Sequence, residues 1–387
     1  ENGTIISGIT ELDQLNHTFG IFEARKLFDS EALKNGYEWR HRQWGFHLWF
    51  ELHYESRSDI RDIVMAYREL KEVIEWAEPE YKKVLFNSMQ EVQAGNTAGS
   101  SRWTPDDPQL DDQWHYHNTG QVGGTPGCDI SLFEAWDIEK GHSDVIVAII
   151  DSGIQHTHPD LIDNIWEDIG YNFVTSSSTI IPADHGTHVA GTVAAVTNND
   201  IGVAGVAGGS GSGDGIRLMS CQVFSGNSSG GFHQAPLYAA DNGAAISQNS
   251  WGYTSNNYYD QNVLDAIDYF NANGGGEVLD GGITIFAAGN SGSSGQRYPG
   301  CYPGAFSVAA TNNQDQKAWY STYDYWVDIS APGGETNTIT TRGVLSTKTG
   351  NSYGYFQGTS MACPHASGVA ALLVSYAHRN DFLLTNS

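Results

Sequence analysis

The stretch DVIVAIIDSG, residues 144–153, decides the fold. From Val145 to Ile150 it is apolar without a break and rich in Val and Ile. A strand with one wet face alternates apolar and polar residues. An unbroken run belongs to a strand covered on both faces, as in a parallel sheet. Four further segments read the same way: RLMSCQVF (217–224), GAAISQNS (243–250), GITIFAAG (282–289) and AFSVAAT (305–311). Helical patterns fall between several of them, near 188–196, 235–242 and 262–273. Alternation of this kind predicts an α/β unit, a parallel sheet flanked by helices on both faces. In such sheets functional groups collect beyond the carboxyl ends of the strands. Asp151 stands at such an end.

Outward from this sheet, the chain has 387 residues, room for a large core and an appendage. Hydrophobic residues make up 40% and glycine is abundant, which fits a folded protein. The formal net charge of -26 argues against nucleic acid as a partner, because phosphate contacts need a basic face. It suits an exported protein. No run reaches the roughly 18 apolar residues that suggest a membrane span. The chain begins at Glu1, not Met, so the lack of a secretory leader carries no weight. Cys128, Cys221, Cys301 and Cys363 show no paired metal or redox spacing; packed thiols are expected, one bridge being the alternative.

Residues 93–108 are rich in Gly, Ser, Thr and Pro and read as a linker. Residues 1–100 hold 11 basic and 17 acidic side chains; residues 101–387 hold 8 and 28. The division predicted is a first part over 1–92, a linker over 93–104 and a second part over 105–387. In the first part Trp44, Phe46, Leu48, Phe50 and Leu52 alternate as a half-buried strand would. Ser58 is placed to cap a helix carrying Ile60, Ile63, Val64 and Tyr67 on one face. Residues 72–86 read as a returning strand, at an edge because of Pro79. The expectation is a small α+β unit.

Three residues at the ends of elements suggest chemistry. Asp151 closes a buried strand, His185 opens a helical run in DHGTHVAGT, and Ser360 heads another in GTSMACPHASGVAALL. A serine hydroxyl is a weak nucleophile until a histidine takes its proton, and an aspartate fixes the imidazole tautomer. A serine at a helix start also offers its own N–H to a developing oxyanion. Asn290 in AAGN, just past a buried strand, is a candidate second donor. Gly358 lets substrate backbone approach, and Pro364 is tolerated because early helical N–H groups lack partners. His188 and His365 read as structural; His156 and His158 read as residues of a surface turn.

The blocks VAIIDSGIQHTHPDL, HGTHVAGTVAAVTNN, FAAGNSG and GTSMACPHASGVAALL resemble, in this order, the catalytic blocks of the subtilisin-like serine proteases. TPDDPQL and VTNNDIGV bring the resemblance close to the thermitase-like branch, over about residues 104–377. The resemblance implies a subtilisin-like fold with Asp151, His185 and Ser360 as triad and Asn290 in the oxyanion hole. It implies protein or peptide substrates that add as a strand along Ser250, Trp251 and Gly252 and near Gly230, with Gly289 beside the site and Trp251 as an apolar wall. Arg297 falls at the base of the pocket for the residue before the scissile bond, and an acidic preference is expected from it. Ca2+ is expected at Asp107, Asp160 and Asn199 with carbonyls of Val196, Ile201 and Val203. EWAEPEY resembles the closing strand of the family's ferredoxin-like propeptides, so the first part is expected to be an intramolecular inhibitor released by self-cleavage within 86–101. A secreted, monomeric endopeptidase zymogen is the reading; a peptide ligase using the same residues and an inert propeptide-locked protein are the alternatives. The chain ends soon after the serine helix, where relatives usually continue.

Overall fold

The computed structural model describes residues 5–86, 88–89 and 103–386. The first part contains helix α1 (Thr10–Phe19), strand β1 (Ile21–Lys26), helix α2 (Glu38–Gln43), strand β2 (Phe50–Tyr54) and helix α3 (Ile60–Arg68). β1 and β2 pair antiparallel, and Ile21, Ile63 and Tyr67 form a small core. The alternation from Trp44 becomes strand only at Phe50. Phe46–Leu48 is a 3-10 turn entered through Gly45 at φ 77°, and Phe46 stacks on Phe28 at 4.5 Å. Helix α3 is capped by Asp59, which accepts from the Arg61 N–H at 2.9 Å, and not by Ser58.

Residues 72–86 are irregular except for β3 (Lys83–Leu85). β3 does not close a ferredoxin-like sheet: among the described residues the first part's own sheet has two strands. Its backbone pairs instead with the second part. The reason lies ahead of it, where Glu78 and Tyr81 are held at the start of a second-part helix. The Gln261 N–H donates to Glu78 Oε1 at 2.7 Å, and the Tyr81 N–H donates to Asp260 Oδ1 at 3.2 Å. Burial pushes the Glu78 carboxyl up to about 7. β4 (Ser88–Met89) follows. The expected linker falls mostly outside the described residues; of its end, Trp103 packs edge-on against Trp136.

The second part runs α4 (Leu132–Trp136), β5 (Ile146–Asp151), β6 (Ile165–Asn172), α5 (Asp184–Ala194), β7 (Arg217–Gln222), β8 (Phe224–Ser225), β9 (Ser228–Ser229), α6 (Ala235–Asp241), β10 (Ile246–Asn249), β11 (Trp251–Tyr253) and α7 (Gln261–Asn273). β12 (Leu279–Asp280), β13 (Ile283–Ala287), β14 (Phe306–Thr311), β15 (Ile329–Pro332), β16 (Val344–Lys348), β17 (Ser352–Gln357), α8 (Thr359–Arg379) and β18 (Leu384–Thr385) complete it. Seven strands form one parallel sheet in the order β15-β14-β13-β10-β5-β7-β6. β5 shows why its sequence is continuously apolar. Val147 and Ile149 pack on the face covered by α5 and α8; Ala148 and Ile150 pack on the face covered by α6 and α7.

β6 and β15 were not legible as strands. β6 carries exposed Glu167 and Asp168, and its register slips between Ile165 and Gly170, with Ile169 at φ 65°. Charge and a bulge hide its period. The chain lays β6 and β7 to one side of β5, then crosses to start β10 on the other. The carboxyl ends of β5, β10 and β13 therefore meet at a switch in strand order, where α/β sheets open a crevice.

Candidate active site

β5 delivers Asp151 and α5 delivers His185 into this crevice. His185 Nδ1 lies 2.7 Å from Asp151 Oδ1, and both side chains are buried. The Ser152 N–H donates to the same Asp151 oxygen at 2.6 Å, and Ser152 Oγ accepts from the Gly186 N–H at 3.0 Å. The aspartate and the start of the histidine helix are thus held by adjacent residues. Among the described residues His185 Nε2 and Asp151 Oδ2 have no hydrogen-bond partner. A buried imidazole fixed at one nitrogen and vacant at the other is set to accept a proton.

Ser360 is the second residue of α8 and is fully buried. The N-cap is Gly358 at φ 150°, a conformation that favours glycine. Ser360 Oγ donates to the Ser250 carbonyl at 3.1 Å, and Ser250 Oγ donates to the Ser360 carbonyl at 3.0 Å. The pair is reciprocal, and Pro364 makes it possible. In an unbroken helix the N–H four residues on would take the Ser360 carbonyl. Pro364 has none, so that carbonyl is left for Ser250. Pro364 is therefore not tolerated as one of the partnerless first-turn donors; it lies beyond them and removes a specific bond.

Asn290 follows β13. Its Oδ1 accepts from the Thr359 N–H at 3.0 Å and from Thr359 Oγ1 at 2.8 Å. With the oxygen so held, the amide nitrogen is the end left to face the cleft. That cleft is lined by Val84, Phe86, Tyr253, Thr254, Asn290, Ser291 and Arg297.

One wall of the cleft, Val84 and Phe86, comes from the first part. β3 pairs antiparallel with β11, setting Leu85 opposite Trp251, Val84 opposite Gly252 and Lys83 opposite Tyr253. The Phe86 N–H donates to the Ser250 carbonyl at 3.2 Å. A Cβ on Gly252 would run into the Phe86 ring, so glycine is needed for that ring to enter. Gly289, at φ 106°, lies beside it: a Cβ there would touch Phe86 and the Arg297 stem at 3.7 Å. Beyond Phe86, β4 pairs antiparallel with β17, Ser88 opposite Gln357 and Met89 opposite Phe356. The chain therefore crosses the crevice with strand pairing on both sides of Phe86.

Several expected positions are corrected by this geometry. The Trp251 backbone pairs with Leu85, but its indole is core, packed on Phe232 at 4.6 Å and Phe286 at 5.1 Å, and forms no groove wall. Gly230 donates to the Val223 carbonyl at 3.0 Å, and among the described residues no hydrogen bond joins it to β3. Arg297 Nη1 donates to the Thr254 carbonyl at 3.2 Å. His158 is not in a surface turn: it is fully buried, with Nε2 3.2 Å from the Ser352 carbonyl. His188 stacks on Phe356 at 4.4 Å, and burial drives its pKa down to about 3. His365 pairs with His115 at 2.8 Å. All four cysteines are free thiols. Sequence reasoning missed Thr359 and the Ser250 hydroxyl; the proline four residues after Ser360 was the available signal for the latter.

A second cluster lies away from the crevice. Asp107 and Asp160 are buried, and burial pushes both carboxyls up to about 7. Asp107 Oδ2 accepts from the Asn198 N–H at 2.8 Å, while its Oδ1 has no partner among the described residues. Asp160 accepts from Asn199 Nδ2 and from the Val203 N–H, each at 2.9 Å, and its carbonyl accepts from the Val196 N–H at 2.9 Å. Ile201 donates to Asn199 Oδ1 at 2.9 Å. No ion pair among the described residues neutralises either carboxylate. Two buried carboxylates, one with an orphaned oxygen, and an amide oxygen on a tight loop fit a hard cation.

The comparisons agree with this architecture. The subtilase family profile matches residues 142–387. The chain is 36% identical over 312 residues to a thermophilic serine proteinase from Bacillus sp. strain AK1, covering 80% of this chain and 65% of that protein. It is 36% identical over 277 residues to thermitase from Thermoactinomyces vulgaris, covering 70% of this chain and 86% of thermitase. A solved protease structure from Pseudoalteromonas arctica superposes with a TM-score of 0.58 at 32% identity, over 70% of this chain and 86% of that one. The sheet order, the crevice and these matches lead to one conclusion: the chain belongs to the subtilase family, the subtilisin-like serine proteases.

Proposed function

We propose that the chain is a serine endopeptidase zymogen whose first part lies in its own active site. The observation that carries the reading is the buried His185, bonded to Asp151 through one nitrogen and vacant at the other, on a helix packed against α8, whose second residue is Ser360. His185 Nε2 takes the proton of Ser360 Oγ as that oxygen bonds the substrate carbonyl carbon. Asp151 holds the tautomer and stabilises the imidazolium. The oxyanion receives bonds from Asn290 Nδ2 and the Ser360 N–H. The C–N bond breaks as His185 protonates the leaving amine, and water then hydrolyses the acyl-enzyme by the reverse proton path. The setting proposed is extracellular, which a net charge of -26 suits.

Strand pairing on both sides of Phe86 supports the zymogen reading, with self-cleavage proposed after Phe86. An aromatic ring against Gly252 and Gly289 supports an apolar preference there more than the acidic one expected from Arg297, whose guanidinium is engaged with Thr254. Peptides with Phe before the scissile bond are expected to be cut at least ~10-fold better than those with Glu, the scale of burying one aromatic side chain. The reverse order, abolished in Arg297→Ala, would restore the acidic reading.

Calcium is the proposed occupant of the Asp107 and Asp160 cluster, with Asn199 and carbonyls of Val196, Ile201 and Val203. When bound it supplies positive charge that offsets two buried carboxylates. Those residues tie the stretch after the linker to the loop after α5. EDTA is expected to lower the melting temperature by roughly 5 °C and added Ca2+ to restore it, since a ligand of the folded state alone stabilises by mass action. An unchanged melting curve would remove the ion from this account.

A further inference from the structure

A lysine is buried where the first part crosses the groove. Lys83 stands opposite Tyr253, three positions before Phe86, and is 6% exposed. Its ammonium pairs with the Asp260 carboxylate. It lies 5.4 Å from the centre of the Tyr253 ring and 5.2 Å from that of Phe232. Glu80 is farther out at 4.0 Å and exposed. The Tyr253 hydroxyl accepts from the Asp260 N–H at 3.0 Å, which fixes the carboxylate beside the ring. Lys83 and Tyr81, both from the first part, donate to the two oxygens of Asp260. Once the first part leaves, the pocket keeps the Asp260 carboxylate, stripped of the two donors it had from the first part, and two aromatic faces. Such a pocket favours a cation, because a carboxylate attracts an ammonium group through a charged hydrogen bond and aromatic faces attract it too.

We propose that Asp260 is a specificity-determining residue: it selects substrates with a lysine three residues before the residue that fills the Phe86 pocket. The preferred sequence is Lys-x-x-Phe, of which residues 83–86 are the chain's own copy. This rests on the reading that residues 83–86 lie in the groove as a substrate does. It adds to that reading a charge requirement at a distance from the scissile bond.

The test uses the full chain in calcium buffer, cut in the linker by an unrelated protease wherever it does not cut itself. Three quenched peptides are compared, identical except for Lys, norleucine or Glu three residues before Phe. Norleucine keeps most of the lysine stem and removes the charge. Wild type is expected to cleave the Lys peptide roughly 10- to 100-fold better in kcat/KM than the norleucine peptide, the scale of one charged hydrogen bond. The Glu peptide should be the poorest. Asp260→Asn should bring Lys and norleucine within about threefold of each other, and Asp260→Glu should restore the preference. If wild type cuts the three peptides equally, the charge requirement is wrong while the groove reading stands, whatever the variants do. If Asp260→Asn keeps the full Lys preference, another group selects the charge and the assignment to Asp260 fails. If wild type cuts none of them, the groove reading fails and takes this proposal with it.

Discussion

Ser360→Ala leaves the full chain as a single mass in calcium buffer, over a time in which wild type splits in two with a new end after Phe86. Peptide hydrolysis by the variant is expected to fall by about 10^4- to 10^6-fold, the range for removing a serine nucleophile from such a site. The fold has little reason to change. The lost hydroxyl makes one hydrogen bond, to the Ser250 carbonyl, and that carbonyl keeps its bond from the Phe86 N–H. The stability cost should be about 1 kcal/mol. Intact mass over time reads the result directly. Fragments appearing equally fast in both proteins would trace the cut to another agent and remove Ser360 from the chemistry. Two whole proteins would favour the inert, locked form.

Asn290→Ala is expected to lower kcat by about 10^2- to 10^3-fold with KM nearly unchanged, as for the loss of one oxyanion donor. The effect belongs to the transition state because the amide meets a charge that the ground state lacks. Thr359→Val should fall between. It removes the 2.8 Å bond that keeps the Asn290 oxygen turned away and the 3.1 Å bond that the hydroxyl accepts from the Gly289 N–H, while the backbone N–H of residue 359 still holds Asn290 at 3.0 Å. A loss of roughly 3- to 10-fold in kcat is the scale of one such bond. A raised KM with unchanged kcat would instead place Asn290 in ground-state binding.

The sheet was legible because burial on both faces writes itself into sequence as apolar runs, unbroken from Ile146 to Ile150 in β5 and interrupted by Thr284 alone in β13. β6 was hidden by its charged middle and its bulge. The first part was read less well. Its elements are short and its core is three buried residues, so local pattern had little packing behind it. Its strand β3 could not be assigned a partner from sequence, since Leu85 meets Trp251 across a long stretch of intervening chain. The candidate site divided in the same way. Asp151, His185, Ser360 and Asn290 stand at the ends of elements and were visible there. The roles of Thr359, Ser250 and Asp260 depend on distant segments meeting: Lys82-Lys83 reads in sequence as a solvated pair of charges. Trp251 was misplaced because its backbone and its indole serve different sides of the same strand.

The reciprocal bonds between Ser250 and Ser360 have a consequence for tolerance. Ser250 begins the edge that aligns an incoming chain, and Ser360 is the part that must reach it. A machine with two parts on separate mounts accumulates the play of both. Here the two are bolted to each other, and the second bolt passes through a hole that Pro364 leaves in the helix. Thermal drift of α8 against the sheet therefore shifts the jig and the tool together and leaves the gap between them nearly constant.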